Sequence, residues 1–586
     1  MRRSWWVLGM GCLAQCGSSE RPPPVGSIDF TVDAGPPIPA EPCTFTGVVC
    51  DGQTPYRCAA SGGRDYLPGC TGERPFCVAG GCVACPPAAV RCSPERPAQP
   101  ERCAADGSGW AALAACDEAA GERCTDGRCG DPCAAQEGSR GYLGCEYWAT
   151  QTPNSQLDPA FAFAVALANP QSFAVTVRIS GGALREPRSE TLAPGAVQAV
   201  TLPWVQALVQ SSPDNMGCAP GAPCRGWPPA TTATVVGGAY HIEATAPVAA
   251  YQFNPLNFER GSGFSSYSND ASLLLSQRSL TDRYIVLTAP HWTPARGVVL
   301  GGFIAVTAVT GETTSVTIRL PANAGVVGET GTVTRDNLTP GDVFLLVGGA
   351  AGDLSGALVE ASGPVAVFAG HDCTNVPQSR PACDHLEEQV VPLETLGRDF
   401  VVTPLIDRPG TASMVRVVSP FDGATLRFDP PSVHRSVRLA ERQVLQFQTP
   451  TAFRMVSSRP VLVAQFMSGQ GDNGTSASAG DPAMVYEVPS QQFRDRYDLL
   501  VPDTYTRNYL GVVVPHGARA LLDGTPLTTM RTVLGPWDLI STPVTPGAHQ
   551  LRTAEGVPLG VKVYGTARFT SYMYPGGLDL QLLPPG

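Results

Sequence analysis

The chain has 586 residues, enough for about three to five domains, with 43% hydrophobic and 16% charged residues. That balance excludes both a disordered chain and a coiled coil. Forty Lys+Arg against 51 Asp+Glu, a net −11, exclude the basic footprint of a nucleic-acid binder.

Arg2 and Arg3 precede an apolar stretch, Trp5 to Leu13, and then small residues. This predicts an export signal over residues 1–16. Leu13-Ala-Gln-Cys16 has the shape of a bacterial lipoprotein box, with Gln15 where a small residue is usual, so Cys16 is the lipidation candidate and ordinary secretion the alternative. Residues 17–42, with Pro22-Pro-Pro24 and Pro36-Pro37, read as an extended Pro-rich linker. No apolar run of about 18 residues follows, so the only membrane attachment expected is that lipid.

Fourteen of the 20 cysteines fall within residues 43–145. In an exported chain such density predicts a disulfide framework, because small modules lack enough core to fold alone. Cys43, Cys50, Cys58, Cys70, Cys77 and Cys82 form one set. Cys85, Cys92, Cys103, Cys116, Cys124 and Cys129 form a second, with similar gaps. Two six-cysteine modules are expected, with connectivity open among 15 pairings each. Cys133 pairs with Cys145 at the seam to the next region. Cys218–Cys224 and Cys373–Cys383 read as local loop staples. Cys82-Val-Ala-Cys85 has finger-like spacing, but no histidine precedes His241, so zinc is not expected.

From residue 146 the texture changes to short β-rich runs between Pro and Gly. One phrase recurs four times, around Pro247, Pro364, Pro460 and Pro558, at separations of 117, 96 and 98 residues. Each proline can open a strand where no ladder N–H is needed. The reading is all-β: four repeats, about 146–275, 276–390, 391–490 and 491–586, built as tandem β-sandwiches, with propeller-like blades as the alternative.

Several phrases carry a resemblance: Gly144-Cys-Glu-Tyr-Trp148, Tyr251-Gln-Phe-Asn-Pro-Leu-Asn257, Ser268-Asn-Asp-Ala-Ser-Leu-Leu274, Gly370-His-Asp-Cys373, Cys383-Asp-His-Leu-Glu-Glu-Gln389, Gly480-Asp-Pro-Ala-Met484 and Ser571-Tyr-Met-Tyr-Pro-Gly-Gly-Leu578. Together, over about residues 140–586, they resemble the IgGFc-binding protein N-terminal domain family in its bacterial surface form. The resemblance implies an extracellular binding or adhesion module without catalytic residues, exported to the outer membrane or cell surface as a lipoprotein, or secreted. Its partner would be a protein or a surface glycan.

His371, Asp372, Asp384, His385, Glu387 and Glu388 crowd around the Cys373–Cys383 staple. They are the densest ligand-type cluster, and His371, His385 and Asp384 are the candidate metal set; the competing expectation is a structural role, with no metal and no cofactor. Tyr251 and Phe253 share a strand face and are expected in the core, whereas Phe264 and Tyr267 are left open between a structural place and a glycan platform. Gly480-Asp481-Pro482 resembles a self-cleaving sequence, but Ala483 replaces its histidine, leaving a turn before a strand at Met484. No Gly-x-Ser-x-Gly elbow, His-Glu-x-x-His, phosphate loop or dinucleotide fingerprint is present, and Leu559 three residues before Lys562 excludes Ser-x-x-Lys. A self-associating envelope component and a hydrolase with a loop-built acidic site are the other function classes.

Overall fold

The computed structural model describes residues 45–584, except 52, 61–63, 126, 137, 158–159, 212–229, 261–263, 267, 296–297, 327, 381, 407–409, 471–479 and 530. Cys16, the linker, Cys43, the Cys218–Cys224 staple and Tyr267 lie outside the described residues, as does the side chain of Phe264.

Two compact units form. One holds the described residues up to Ala89 together with Cys103–Ala111; the other holds Val90–Arg102 and the chain from Ala112 onward. In the cysteine-rich region, hairpins such as Phe76–Val78 with Gly81–Val83, and Arg123–Thr125 with Arg128–Gly130, are tied by disulfides. The bonds are Cys50–Cys77, Cys70–Cys82, Cys85–Cys103, Cys92–Cys124 and Cys116–Cys129. In the second set the first cysteine joins the third, the second the fifth and the fourth the sixth. The two bonds described in the first set follow the same rule. One local device recurs as well. Gly80 and Gly127 sit in hairpin turns at φ +81° and +76°, and their N–H groups donate to Cys50 Sγ and Cys92 Sγ at 3.3 and 3.4 Å. A Cβ at Gly80 would meet the Val48 carbonyl at 2.0 Å, so this turn needs glycine.

The large unit is all-β, and its only α-helix among the described residues is one turn, Gln206–Val209. The third repeat shows the pattern most clearly. Its eight strands are Asp399–Val402, Ser413–Val418, Ala424–Asp429, Val437–Leu439, Val444–Thr449, Phe453–Ser457, Leu462–Phe466 and Met484–Tyr486. The first, sixth, third and fourth form one antiparallel sheet in that order, and the fifth, second, seventh and eighth form the other. Repeats two and four follow the same order, each with one further edge strand, and the extra strand of repeat two, Ala233–Val235, comes from the preceding repeat.

The recurring proline phrase marks the corner at which the chain leaves the first sheet and enters the second. Pro364, Pro460 and Pro558 stand just before the seventh strands Val365–Asn375, Leu462–Phe466 and Gly560–Ala567. In repeat one the corner is straightened. The sixth and seventh strands are one continuous strand, Tyr240–Asn254, with Pro247 where its partners change from Val175–Gly181 to Phe163–Ala168. The expectation of sandwiches holds, and no closed propeller forms.

Burial explains the strand textures. Val175–Gly181 alternates buried and exposed residues, as an outer strand should. The seventh strands are buried on both faces, one turned to their own sandwich and the other inward. The eighth strands, Asp270–Leu273, Cys383–Gln389, Met484–Tyr486 and Thr570–Pro575, pack in a cycle, each against two others. The repeats therefore close on themselves, and one apolar cluster runs through repeats one, four and part of two. At the seam Gly141 bridges Asp579. The Tyr142 N–H donates to the Leu578 carbonyl at 3.2 Å and the Leu580 N–H to that of Arg140 at 3.0 Å.

Candidate functional site

The family-type phrases converge where the eighth strands meet. Asp270 opens the eighth strand of repeat one and is fully buried. Its carboxylate accepts from the backbone N–H of Ala271 at 3.0 Å, of Glu387 at 3.2 Å in repeat two and of Met484 at 3.1 Å in repeat three. Around it, Asp384 accepts from the Asn269 N–H at 2.6 Å, and Asp372 accepts from the Ser155 N–H at 2.7 Å and its hydroxyl at 2.6 Å. Glu387 accepts from Thr152 Oγ1 at 2.6 Å and from Gln252 Nε2 at 3.2 Å. His385 Nε2 lies 3.1 Å from Thr152 Oγ1, with its ring stacked 5.9 Å from that of Phe303. The Cys373–Cys383 disulfide closes the hairpin that carries this set.

Every one of these acids and imidazoles is sealed. Burial pushes the carboxyls of Asp270 and Glu388 well above the usual range, and neighbouring carboxylates push the same way. Asp384 is raised by burial and by the charges of Asp481 and Asp270. Removing Asp270 with alanine strands two interstrand N–H groups from other repeats. A cost of about 2–5 kcal/mol is expected, read as a lower urea midpoint, and Asp270→Asn, which keeps one acceptor, should cost less.

The sequence-predicted residues His371, Asp384, His385 and Glu387 thus come together in an interior joint. Among the described residues, three metal-type ligand atoms lie within 4.8 Å of one another in a different place, at Glu146, His241 and Glu243. Glu146 and Glu243 face each other across the Gly144–Ala149 and Tyr240–Asn254 strands, in a register that sequence alone does not give. His241 Nε2 stands 3.7 Å from Glu146 Oε1, and its Nδ1 stands 3.8 Å from Glu243 Oε2. The imidazole stacks on Trp148 at 4.3 Å. Directly opposed carboxylates repel, and Arg178, 2.6 Å from Glu243, relieves part of this. The neighbouring His241 imidazole holds the Glu146 carboxyl below its usual range, against the opposing effect of burial.

These acids border a cleft of about 940 Å³ lined also by Asp131, Arg278, Pro364 and the Cys133–Cys145 disulfide. That volume falls in the range of ligand pockets, roughly 300–1,000 Å³. Tyr251 and Phe253 lie in the core, their rings tilted against Tyr574 and Tyr572 of repeat four, and offer no platform. Asp481 is buried, and its N–H donates to Ser571 Oγ at 3.0 Å, before the strand at Met484.

A family model described as IgGFc binding protein matches residues 270–565, from the central aspartate into the fourth repeat. The human IgGFc-binding protein is 28% identical over 249 residues, 42% of this chain and 4% of the human protein. The shared region is thus a small part of that relative's length.

Proposed function

The chain belongs to the IgGFc-binding protein family, and on that premise we propose that this extracellular binding protein is a non-catalytic adhesin held at the bacterial cell surface by a lipid on Cys16. One observation carries the reading: the motif's acids are spent inside, on hydrogen bonds that knit repeats one, two and three together. What remains outward is a stable scaffold, its loops, and the cleft at Glu146, Glu243 and Arg278. The cysteine modules serve as a stalk, and the Pro-rich linker as a tether. The human relative is named for the Fc part of immunoglobulin G; here the partner is a surface protein that presents a cationic or neutral loop to an acidic cleft. The net charge of −11 disfavours capture of polyanions.

The test immobilises three targets: cell envelope, extracted surface polysaccharide and immunoglobulin Fc. The oxidised full chain should bind envelope saturably and lose binding on unfolding. The Glu146→Gln, Glu243→Gln double variant should lose about tenfold in affinity, near 1.4 kcal/mol, with an unchanged melt. Retention on polysaccharide alone would replace the protein partner with a glycan. Concentration-dependent self-association without retention would replace adhesion with envelope scaffolding.

A further inference from the structure

Lys562 is the only lysine in the chain. A single lysine would ordinarily stand on the surface, yet this one is 5% exposed, in the seventh strand of repeat four. Its Nζ donates to Glu487 Oε1 at 2.7 Å and to Gln465 Oε1 in the seventh strand of repeat three. Gln465 is buried as well, and the Glu487 side chain is only 8% exposed. The Gln465 carboxamide is fixed from behind, since its Nε2 donates to the Thr403 carbonyl and to Ser413 Oγ, each at 3.1 Å. Gly511 pairs with Lys562 across the sheet and keeps the slot open: a Cβ there would stand 2.6 Å from Thr403 Oγ1 and 3.8 Å from Lys562 Cε.

An amine hydrogen-bonded to a carboxamide oxygen, with a carboxylate on the same amine, brings the groups needed for acyl transfer side by side. We propose that Lys562 and Gln465 form an intramolecular isopeptide bond, with Glu487 as the proton carrier. Glu487 takes a proton from the ammonium. The freed amine attacks Gln465 Cδ, forming a C–N bond. Glu487 returns the proton to Nε2, the Cδ–Nε2 bond breaks, and nitrogen leaves as ammonia, which takes up the second amine proton as ammonium. The balance is one ammonium plus one carboxamide giving one secondary amide plus one ammonium ion, with no oxidant or co-reactant. A cavity of about 20 Å³ beside Lys562 and Glu487 has room for the departing molecule, since about 10–15 Å³ suffices for a water.

Two physical terms favour the step. Fixing both reactants in one site supplies effective concentrations on the order of 10⁵ M or more. The reaction also exchanges a buried ion pair, with its desolvation cost, for a neutral amide. The product joins the central strands of two repeats covalently, at positions 97 residues apart.

The test uses the full, folded chain and exploits the single lysine. After denaturation, an amine-reactive reagent should find no ε-amine in the wild type. Proteolytic mapping should recover the Gln465 and Lys562 peptides as one species, lighter than their sum by one ammonia. In Glu487→Gln the ε-amine should label fully and the peptides should separate. Lys562→Met supplies the unlinked reference if Glu487→Gln does not fold. A free, fully labelled Lys562 in native wild-type protein overturns the bond, and a linked Glu487→Gln overturns the role of Glu487.

Discussion

Gly370→Ala is expected to prevent assembly of the folded body. Gly370 pairs with Glu387 in the hairpin that carries the central acids. A Cβ there would stand 1.8 Å from the Leu386 carbonyl oxygen, 2.6 Å from its carbon and 2.9 Å from Glu387 Cα. All three are backbone atoms, so no side chain can swing aside. Relief requires the two strands to part, and the same strands hold the hydrogen bonds of Asp372, Asp384 and Glu387 to repeat one. Overpacking a well-filled core costs about 1–3 kcal/mol. A backbone clash that also breaks a buried polar network belongs with the exceptional losses above about 4–5 kcal/mol. The measurement is a thermal melt by near-ultraviolet circular dichroism, with Gly363→Ala as control; a Cβ at Gly363 meets only Thr310 Oγ1 at 3.7 Å. A Gly370→Ala protein melting with the wild type would refute the close approach on which the joint depends.

The second large effect is a pH dependence carried by His371. This imidazole is fully buried, and neither ring nitrogen has a hydrogen-bond partner. Burial, assisted by nearby His385, pushes its pKa down to about 3, and the Pro290 carbonyl opposes only weakly. A depressed histidine contributes stability that is present above its unfolded value, near 6.5, and lost as pH falls toward 3. At 1.36 kcal/mol per unit, acidification from pH 7 to pH 4 removes about 3 kcal/mol through this one group. The buried carboxyls of Asp270, Asp372, Asp384 and Glu388, raised by burial, have the opposite sign. Their contribution is complete below their unfolded values, near 4, and declines as pH rises. His371→Gln should therefore become more stable on acidification, relative to the wild type, by about 3 kcal/mol between pH 7 and pH 4. Parallel pH profiles for the two proteins, from urea midpoints, would rule this out.

The fourfold organisation was legible because its marker is local. A proline can stand only where a strand needs no ladder N–H; in repeats two to four that place is the corner between the two sheets, and in repeat one it is the point where a continuous strand changes partners. The choice between sandwich and blade was not local. It depends on which strands share a sheet, and the order first, sixth, third, fourth leaves no trace in spacing. The central acids and histidines were legible as a dense group around a staple, but their burial was not, since their partners Thr152, Ser155 and Asn269 lie more than a hundred residues upstream. Glu146, His241 and Glu243 escaped notice for a related reason. Only the strand register makes two distant glutamates neighbours. Lys562 stood out as a solitary residue, while Gln465 and Glu487, in another repeat, gave no sign of being its companions.

The seam at which Gly141 bridges Asp579 has a consequence for the order of folding. In an open row of repeats, each unit stacks on its finished neighbour as the chain emerges, and terminal units are specialised as caps. A closed body has no terminal unit to cap. Repeat one cannot cover its inner face until the fourth has been made, and the joint at Asp270 stays short of partners until repeats two and three arrive. Completion waits for residues 578–580 to reach residues 140–142, the longest sequence separation in the body. Contacts so distant form slowly. Until then the apolar inner strands stay exposed, and an exported chain of this design depends on protection during its passage.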